Sequence, residues 1–171
     1  MQVRARSEKL VGFILRNKGF EPLLPLYTVR RRRADRTVDL DLPLFPGYLF
    51  CRLDLSSRLL PLFTTPGVLR LVGAGSTPAP VEDHEIDAIQ TILKEGRAPL
   101  PCPIPKQGER VIIGDGPLSG VEGVLVGQKK NSRLVVSVTL LQRAVSVEVD
   151  PGSTMPVSSP AQPVLRSAMN A

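Results

Sequence analysis

The sequence is poor in the residue types that build catalytic and metal sites. Its 171 residues include no tryptophan, one histidine and two cysteines. Cys51 and Cys102 lie far apart and have no His or Cys neighbour at metal-ligand spacing, so we expect neither a zinc site nor a disulfide framework. His84 has no Ser, Cys or carboxylate constellation around it and is interpreted as a solvated surface residue. With no phosphate-binding glycine loop either, the sequence indicates a protein that is not an enzyme and uses no metal or cofactor.

Long apolar runs are also missing. The longest is far shorter than the ~20 residues that a membrane-spanning helix needs, and no signal-peptide pattern opens the sequence. We therefore expect a soluble, cytoplasmic protein with no membrane partner. A chain of 171 residues has room for one ordinary domain or two small ones, a size that favours a binding factor over a large enzyme.

Acidic residues are scarce at the amino end. Residues 1–36 contain ten Lys or Arg and three acids, a net charge of +7, whereas the remaining 135 residues carry −1. The densest cluster consists of Arg30, Arg31, Arg32, Arg33 and Arg36. Such asymmetry favours a polyanionic partner such as nucleic acid near the amino end, with a solvated basic loop as the alternative for the cluster.

The few aromatic residues are concentrated in one stretch. "PLFPGYLF", residues 43–50, holds three of the seven Phe and Tyr residues in the chain. As a strand it alternates faces, with Tyr48 and Phe50 on one side and Leu49 and Leu53 on the other. Both sides are apolar, so we expect one side to meet a core and the other to be covered by something else.

Periodicity predicts the remaining elements of the amino-terminal half. Helices are expected over residues 7–18 and 82–94, each with an apolar stripe at helical spacing, and a shorter helix is interrupted by Pro61. Residues 73–80 are typical of a loop. The apolar face of the first helix is predicted to consist of Leu10, Val11, Ile14 and Leu15. This order of elements indicates an α/β sandwich over residues 1–96, an open antiparallel sheet with helices packed on it.

The composition changes after residue 96. Four prolines at alternate positions predict a semi-rigid extended spacer over residues 97–107, with neither helix nor sheet. Residues 108–150 contain short valine-rich segments separated by glycine turns, a pattern typical of a small β-barrel. Residues 151–171 lack an apolar period and are predicted to be a disordered tail. The fold class is therefore α+β.

Three segments together resemble one family. "LFPGYLF" and "TPGVLRLVG" are similar to the central strand signature of the NusG amino-terminal domain and the segment that follows it, and residues 108–150 resemble a KOW module, an SH3-like β-barrel. "LPLY", "PLFPGYLF" and "LLQRAVSVEVD" are similar to the specialised RfaH-like and UpxY-like antiterminators. Family members begin with a complete strand that carries a Trp-Tyr pair. This chain begins inside that strand, so either the start codon is assigned too late or the sheet lacks part of a strand.

The resemblance implies a monomeric bacterial factor for transcription elongation and antitermination, which binds RNA polymerase and suppresses pausing and termination. The clamp helices of the polymerase would bind an apolar surface that includes Phe45, Tyr48 and Phe50; plain core packing is the alternative for each. The alternative function is that of a ribosome-associated or RNA-binding KOW protein without polymerase-specific activity.

The resemblance also implies contacts with nucleic acid and with a second protein. Non-template DNA or nascent RNA would contact Arg16, Arg30, Arg31, Arg32 and Arg33. The KOW module would bind ribosomal protein S10 or termination factor Rho through Lys129, Lys130 and Arg133, on loops shaped by Gly116, Pro117, Gly120 and Gly123. The RfaH-like barrel can refold as a helical hairpin, but the valine-rich strands favour a stable barrel here.

Overall fold

The computed structural model describes residues 1–33, 36–54, 59–74, 77–97, 99–106, 108–127 and 132–157, with Arg33 described through its backbone alone. In the amino-terminal half the elements are β1 (Gln2–Val3), α1 (Glu8–Asn17), β2 (Glu21–Leu23), β3 (Leu26–Arg33), β4 (Arg36–Pro43), β5 (Phe50–Arg52), α2 (Leu59–Phe63), β6 (Val68–Arg70), β7 (Gly73–Ala74), β8 (Thr77–Pro78) and α3 (Asp83–Lys94). The carboxyl-terminal half contains β9 (Leu100–Cys102), β10 (Glu109–Ile113), β11 (Glu122–Val126), β12 (Arg133–Val138), β13 (Arg143–Glu148) and β14 (Thr154–Pro156). Within these ranges no helix is both long and apolar enough to cross a membrane.

Helix α1 begins after Ser7, as expected, but it turns a different face inward. Val11 and Leu15 are fully buried, whereas Leu10 is 58% exposed, so the predicted apolar face was wrong at that position. The inward face is completed instead by Gly12 and Glu8, which are both buried. Gly12 has no side chain, and this lets the side chain of Leu49 pack directly against the helix backbone.

The amino-terminal strands form short pairs instead of the single open sheet that we expected. β1 pairs with β6, β2 with β5, β3 with β4 and β7 with β8, all antiparallel. A bridge between Gln2 and Tyr48 connects the strand β1 to the segment before β5. The antiparallel pair β7 and β8 lies within residues 73–80, where the sequence predicted a loop.

Pro61 lies inside α2 and does not interrupt it, contrary to the prediction. The helix has five residues and Pro61 is the third of them. The N–H groups of the first helical turn have no partner within the helix, so a proline there removes no helical hydrogen bond. The carbonyl of Pro61 is used as well, since it accepts hydrogen bonds from Lys18 Nζ at 2.8 Å and Thr65 Oγ1 at 2.9 Å.

The carboxyl-terminal strands form one antiparallel sheet in the order β14-β10-β11-β12-β13-β9. Its longest pair, β12 and β13, aligns Leu134 with Val147 and Val136 with Val145, and all four side chains are buried. The valine-rich pattern therefore predicted the strands of this region correctly. Closure of the sheet into an SH3-like barrel remains a prediction.

Two strands lie where none was expected. β9 contains Pro101, within the predicted spacer, and pairs with β13 at the edge of the sheet. An edge strand tolerates proline because one side of it needs no hydrogen-bond partner in the sheet. β14 pairs with β10 at the other edge, so the predicted disorder was wrong for the residues around Thr154–Pro156. The part of that tail after residue 157 lies outside the described residues.

The segment that leads into β5 separates two hydrophobic clusters. Leu49, which is fully buried, belongs to the first cluster with residues of α1 and α2. Phe50 belongs to the second cluster, which includes residues of α3 and of the carboxyl-terminal sheet. Adjacent side chains of a strand point to opposite faces. The prediction that both faces are apolar is therefore confirmed, but each face lies in a hydrophobic cluster, where one was expected to have a covering other than the core.

Candidate functional site

A tight turn fixes the entrance to β5. Gly47 has a φ of +82°, in the region that favours glycine. Its N–H donates to the buried Glu8 Oε1 at 2.9 Å, and its carbonyl accepts from the Val3 N–H at 2.8 Å. The turn is thus tied to both α1 and β1. As a result the Phe45 and Phe50 rings meet edge to face, with centroids 5.5 Å apart and planes at 90°.

We call Phe45, Tyr48 and Phe50 the aromatic patch. Phe45 is 2% and Phe50 is 7% exposed, while Tyr48 is half-buried and packs on the same cluster. That cluster also contains Ile89 and Ile92 of α3 and several residues of the carboxyl-terminal sheet. Both phenylalanine rings are therefore buried in a cluster to which α3 and the carboxyl-terminal sheet contribute.

Glu85 connects α3 to the carboxyl-terminal sheet. Its Oε1 accepts hydrogen bonds from the backbone N–H of Thr139 at 2.9 Å and from Thr139 Oγ1 at 2.7 Å. Farther along, Arg97 Nη1 donates to the carbonyl of Glu148 at 3.0 Å. A hydrogen bond to a charged group contributes about 1.5–3 kcal/mol. Sequence reasoning missed the contact between Glu85 and Thr139, because the two residues are 54 positions apart.

A cleft of about 840 Å³ opens beside the aromatic patch. Its walls include Tyr48 and Phe50, Val81 just before α3, Ile86 of α3, and Leu141 of the carboxyl-terminal half. Arg16 also lines this cleft, at the far end of α1. The structure therefore places Arg16 near the aromatic patch, not with the other arginines predicted to bind nucleic acid.

Those other arginines lie on a two-stranded ribbon formed by β3 and β4. The strands have eight residues each and pair along their whole length. Arg30 Nε donates to Asp39 Oδ1 at 3.1 Å, and Thr28 Oγ1 donates to Asp41 Oδ1 at 2.8 Å, both between exposed side chains. Arg31, Arg32 and Arg36 are also exposed. The basic run therefore belongs to a paired two-stranded ribbon and not to an irregular loop.

Exposed apolar side chains on α1 and α2 were not expected from the sequence. Leu10 and Phe13 of α1 are 58% and 61% exposed, and Leu60 and Phe63 of α2 are 74% and 49% exposed. The two helices are joined by Lys18, whose Nζ donates to Thr65 Oγ1 at 2.8 Å just after α2. The opposite face of each helix packs in the first hydrophobic cluster. Because α1 has apolar residues on both its buried and its exposed side, helical periodicity alone assigned Leu10 to the core.

The carboxyl-terminal candidates fall into different environments. Arg133 is half-exposed and is held against β13, with Nε donating to Ser146 Oγ at 3.1 Å and Nη2 to the Ser146 carbonyl at 3.2 Å. Lys129 and Lys130 lie outside the described residues. Among the residues expected to shape turns, Gly116 and Gly120 have φ of +77° and +84°, and Pro117 lies between them.

Gly123 does not lie in a turn, contrary to the prediction. It is part of β11, opposite Val111. A Cβ at this position would lie 2.6 Å from the carbonyl oxygen of Val135 on the neighbouring strand. The glycine is therefore required by a close approach of two strands.

Neither cysteine has the properties of a nucleophile. Burial raises the pKa of the Cys51 thiol above its usual value, and burial likewise raises the pKa of the Cys102 thiol. A raised pKa reduces the thiolate fraction at neutral pH, and the thiolate is the reactive form. Within the described part of the chain, no group of His, Cys, Asp or Glu residues could hold a metal ion.

A family model described as "Transcription termination factor nusG" matches residues 1–90, more than half of the chain. The chain belongs to the NusG family. It is similar to proteins named "Transcription termination/antitermination protein NusG" from several bacteria. The Escherichia coli K12 protein is 36% identical over 126 residues, or 71% of this chain and 66% of that protein. The Vibrio cholerae protein is 35% identical over 137 residues, or 77% of this chain and 75% of that protein.

The NusG match includes both halves of the molecule. Residues 1–90 run from β1 into α3 and contain the ribbon and the aromatic patch. The Thermus thermophilus protein of the same name is 29% identical over 161 residues, 87% of this chain and 88% of that protein. A match of that extent has to include strands of the carboxyl-terminal sheet. The match to the Escherichia coli protein spans slightly less than two thirds of that protein's length.

Proposed function

We propose that this NusG-family protein is a non-catalytic transcription elongation factor, which binds RNA polymerase through the aromatic patch and suppresses pausing and termination. The observation that carries the proposal is the two-sided segment before and within β5. Its Leu49 face is closed by the helices of the amino-terminal half, whereas its Phe50 face shares a cluster with the carboxyl-terminal sheet. A face whose cluster includes residues of the second half of the chain is suited to exchange those contacts for a partner.

Separation of the two halves is part of this proposal. The clamp helices of the polymerase would pack on Phe45, Tyr48 and Phe50 once the carboxyl-terminal sheet has moved away. Aromatic side chains suit such an interface because they supply a large contact area at a low entropic cost. The names of the relatives from Escherichia coli and Vibrio cholerae, which describe termination and antitermination, support the assignment to transcription.

The released carboxyl-terminal sheet would recruit a second protein while the amino-terminal half stays on the polymerase. Because the two halves are tethered, the second partner is held at a raised effective concentration near the transcription complex. Ribosomal protein S10 and termination factor Rho are the proposed partners of this KOW-like half. The ribbon β3–β4 and Arg16 would meanwhile contact non-template DNA or nascent RNA.

The test is a pull-down with purified RNA polymerase, followed by measurement of pause durations on a long template. We expect binding and shorter pauses with the native chain. Tyr48→Ala should remain folded, because Tyr48 is half-buried, and should weaken polymerase binding. Phe50→Ala tests the buried ring, at a stability cost of about 3–5 kcal/mol that circular dichroism will report.

Leu100→Ala is the matched control, because Leu100 is an apolar residue of β9 that is 44% exposed and does not belong to the cluster that contains the aromatic patch. It should bind polymerase like the native chain. If folded Tyr48→Ala and Phe50→Ala variants bind normally, the aromatic patch is not the polymerase site. Affinity for ribosomal RNA without any affinity for polymerase would support the ribosome-associated alternative instead.

A further inference from the structure

The two faces of the ribbon β3–β4 differ in charge. Successive side chains of a strand point to opposite faces, and residues directly opposite each other in an antiparallel pair share a face. The observed register pairs Arg30 with Asp39 and Arg31 with Val38. Neighbouring arginines of one basic run therefore lie on opposite sides of the ribbon.

One face is neutralised by its own acids. We call it the acid-paired face. Its polar residues are Thr28, Arg30, Arg32, Thr37, Asp39 and Asp41. The charges of the two arginines and the two aspartates on this face cancel. The Arg30–Asp39 ion pair and the Thr28–Asp41 hydrogen bond connect β3 to β4. A polyanion that approached this face would meet two carboxylates and would compete with Asp39 for Arg30.

The other face keeps its positive charge. We call it the open-cation face; its described side chains are Tyr27, Val29, Arg31, Arg36, Val38, Leu40 and Leu42. Arg31 and Arg36 are exposed, and no acid stands among these side chains. The aliphatic residues Val29, Val38 and Leu40 are only half-buried, so they offer apolar surface beside the two cations.

We propose that the ribbon binds a nucleic-acid backbone through the open-cation face alone, with Arg31 and Arg36 as the phosphate contacts. This inference rests on the proposed role of the ribbon in nucleic-acid binding and assigns that role to one side of it. Phosphates bind Arg31 and Arg36, and sugars pack on the adjacent aliphatic row. Arg30 has a different environment, because its Nε already pairs with Asp39 Oδ1 across the two strands.

The test compares two double variants that lose the same charge from opposite faces of the same ribbon. Arg31→Gln with Arg36→Gln removes the two arginines described on the open-cation face, and Arg30→Gln with Arg32→Gln removes the cations of the acid-paired face. The affinity of each full-length protein for a labelled DNA duplex of arbitrary sequence is measured by fluorescence anisotropy over a range of salt concentrations. The slope of log affinity against log salt counts the neutralised phosphates.

We expect the Arg31 and Arg36 double variant to flatten the slope by about 1.8 on duplex DNA and by about 1.4 on single strands. The Arg30 and Arg32 double variant should keep the native slope. Equal flattening by both variants, or flattening by the second alone, would overturn the one-sided assignment while leaving nucleic-acid binding by the ribbon in place. A native slope in both variants would remove the ribbon from nucleic-acid binding altogether. All four side chains are exposed, so circular dichroism should show native folding in both variants.

Discussion

Single glycines set the geometry around α1. Gly67 has a φ of +93°, and a Cβ at this position would lie 2.8 Å from Cγ2 of the fully buried Val11. The segment before α1 is also held by Gly67, because the Arg4 N–H donates to the Gly67 carbonyl at 2.8 Å. Gly67 therefore satisfies two requirements at once, a left-handed backbone and a close approach to the first hydrophobic cluster.

Gly67→Ala should consequently destabilise the protein by about 2–5 kcal/mol, since a left-handed alanine costs about 1–2 kcal/mol and overpacking adds about 1–3 kcal/mol. Gly96→Ala is the matched control, because Gly96 has a φ of +63° but no atom within 4 Å of the added Cβ. Gly96→Ala should lower the stability only by the cost of the left-handed alanine. Urea denaturation measures the free energy of unfolding of both variants. An equal loss of stability in the two variants would show that the protein accommodates the contact between the added Cβ and Val11 without cost.

The elements differ in how far the sequence predicted them. Helix α3 was expected over residues 82–94 and spans Asp83–Lys94, because its apolar stripe repeats over three turns. β9 and β14 were missed, since each is a strand only through hydrogen bonds to an edge that lies far away in the chain. Local composition, rich in proline or serine, carries no information about such an edge.

The same limit applied to the candidate site. Alternation correctly assigned Tyr48 and Phe50 to one face of their strand and Leu49 to the other, because a period of two is a local property. The contact between Glu85 and Thr139 depends on how two halves of the chain meet. The pairing of Arg30 with Asp39 depends on the register of a hairpin. Neither can be derived from the composition of either segment.

Strand β14 offers a prediction at the level of elements. It covers one edge of β10, with Ile112 opposite Met155, and the Val157 N–H donates to the Arg110 carbonyl at 2.9 Å. A chain that ends at Asp150 should be about 1–3 kcal/mol less stable than a chain that ends at Val157, because the edge loses several backbone hydrogen bonds.

Thermal unfolding of the two truncated chains, compared with each other, measures this difference. The shorter chain should also aggregate more readily on heating, because the uncovered edge of β10 presents unpaired backbone groups. Identical midpoints and identical light scattering for the two chains would show that β14 contributes nothing to the sheet.

On the scale of the whole molecule, the carboxyl-terminal sheet and the polymerase would compete for one apolar face. The apparent affinity for polymerase is then the intrinsic affinity multiplied by the fraction of molecules in which the two halves are apart. Any change that weakens the contact between the halves raises this fraction. Each 1.4 kcal/mol of weakening raises the apparent affinity about tenfold while the separated form is rare.

Glu85 is the residue through which this competition can be tested. Glu85→Ala removes both hydrogen bonds to Thr139 and leaves the aromatic patch unaltered, so at about 1.5–3 kcal/mol for each bond we expect polymerase to bind about a hundredfold more tightly or better. Asp83→Ala is the matched control, since it removes the same charge from an exposed position in the first turn of the same helix, and it should bind like the native chain. Titration against labelled polymerase measures both affinities. A Glu85→Ala protein that is folded and binds no more tightly than Asp83→Ala would show that docking of the two halves does not limit polymerase binding.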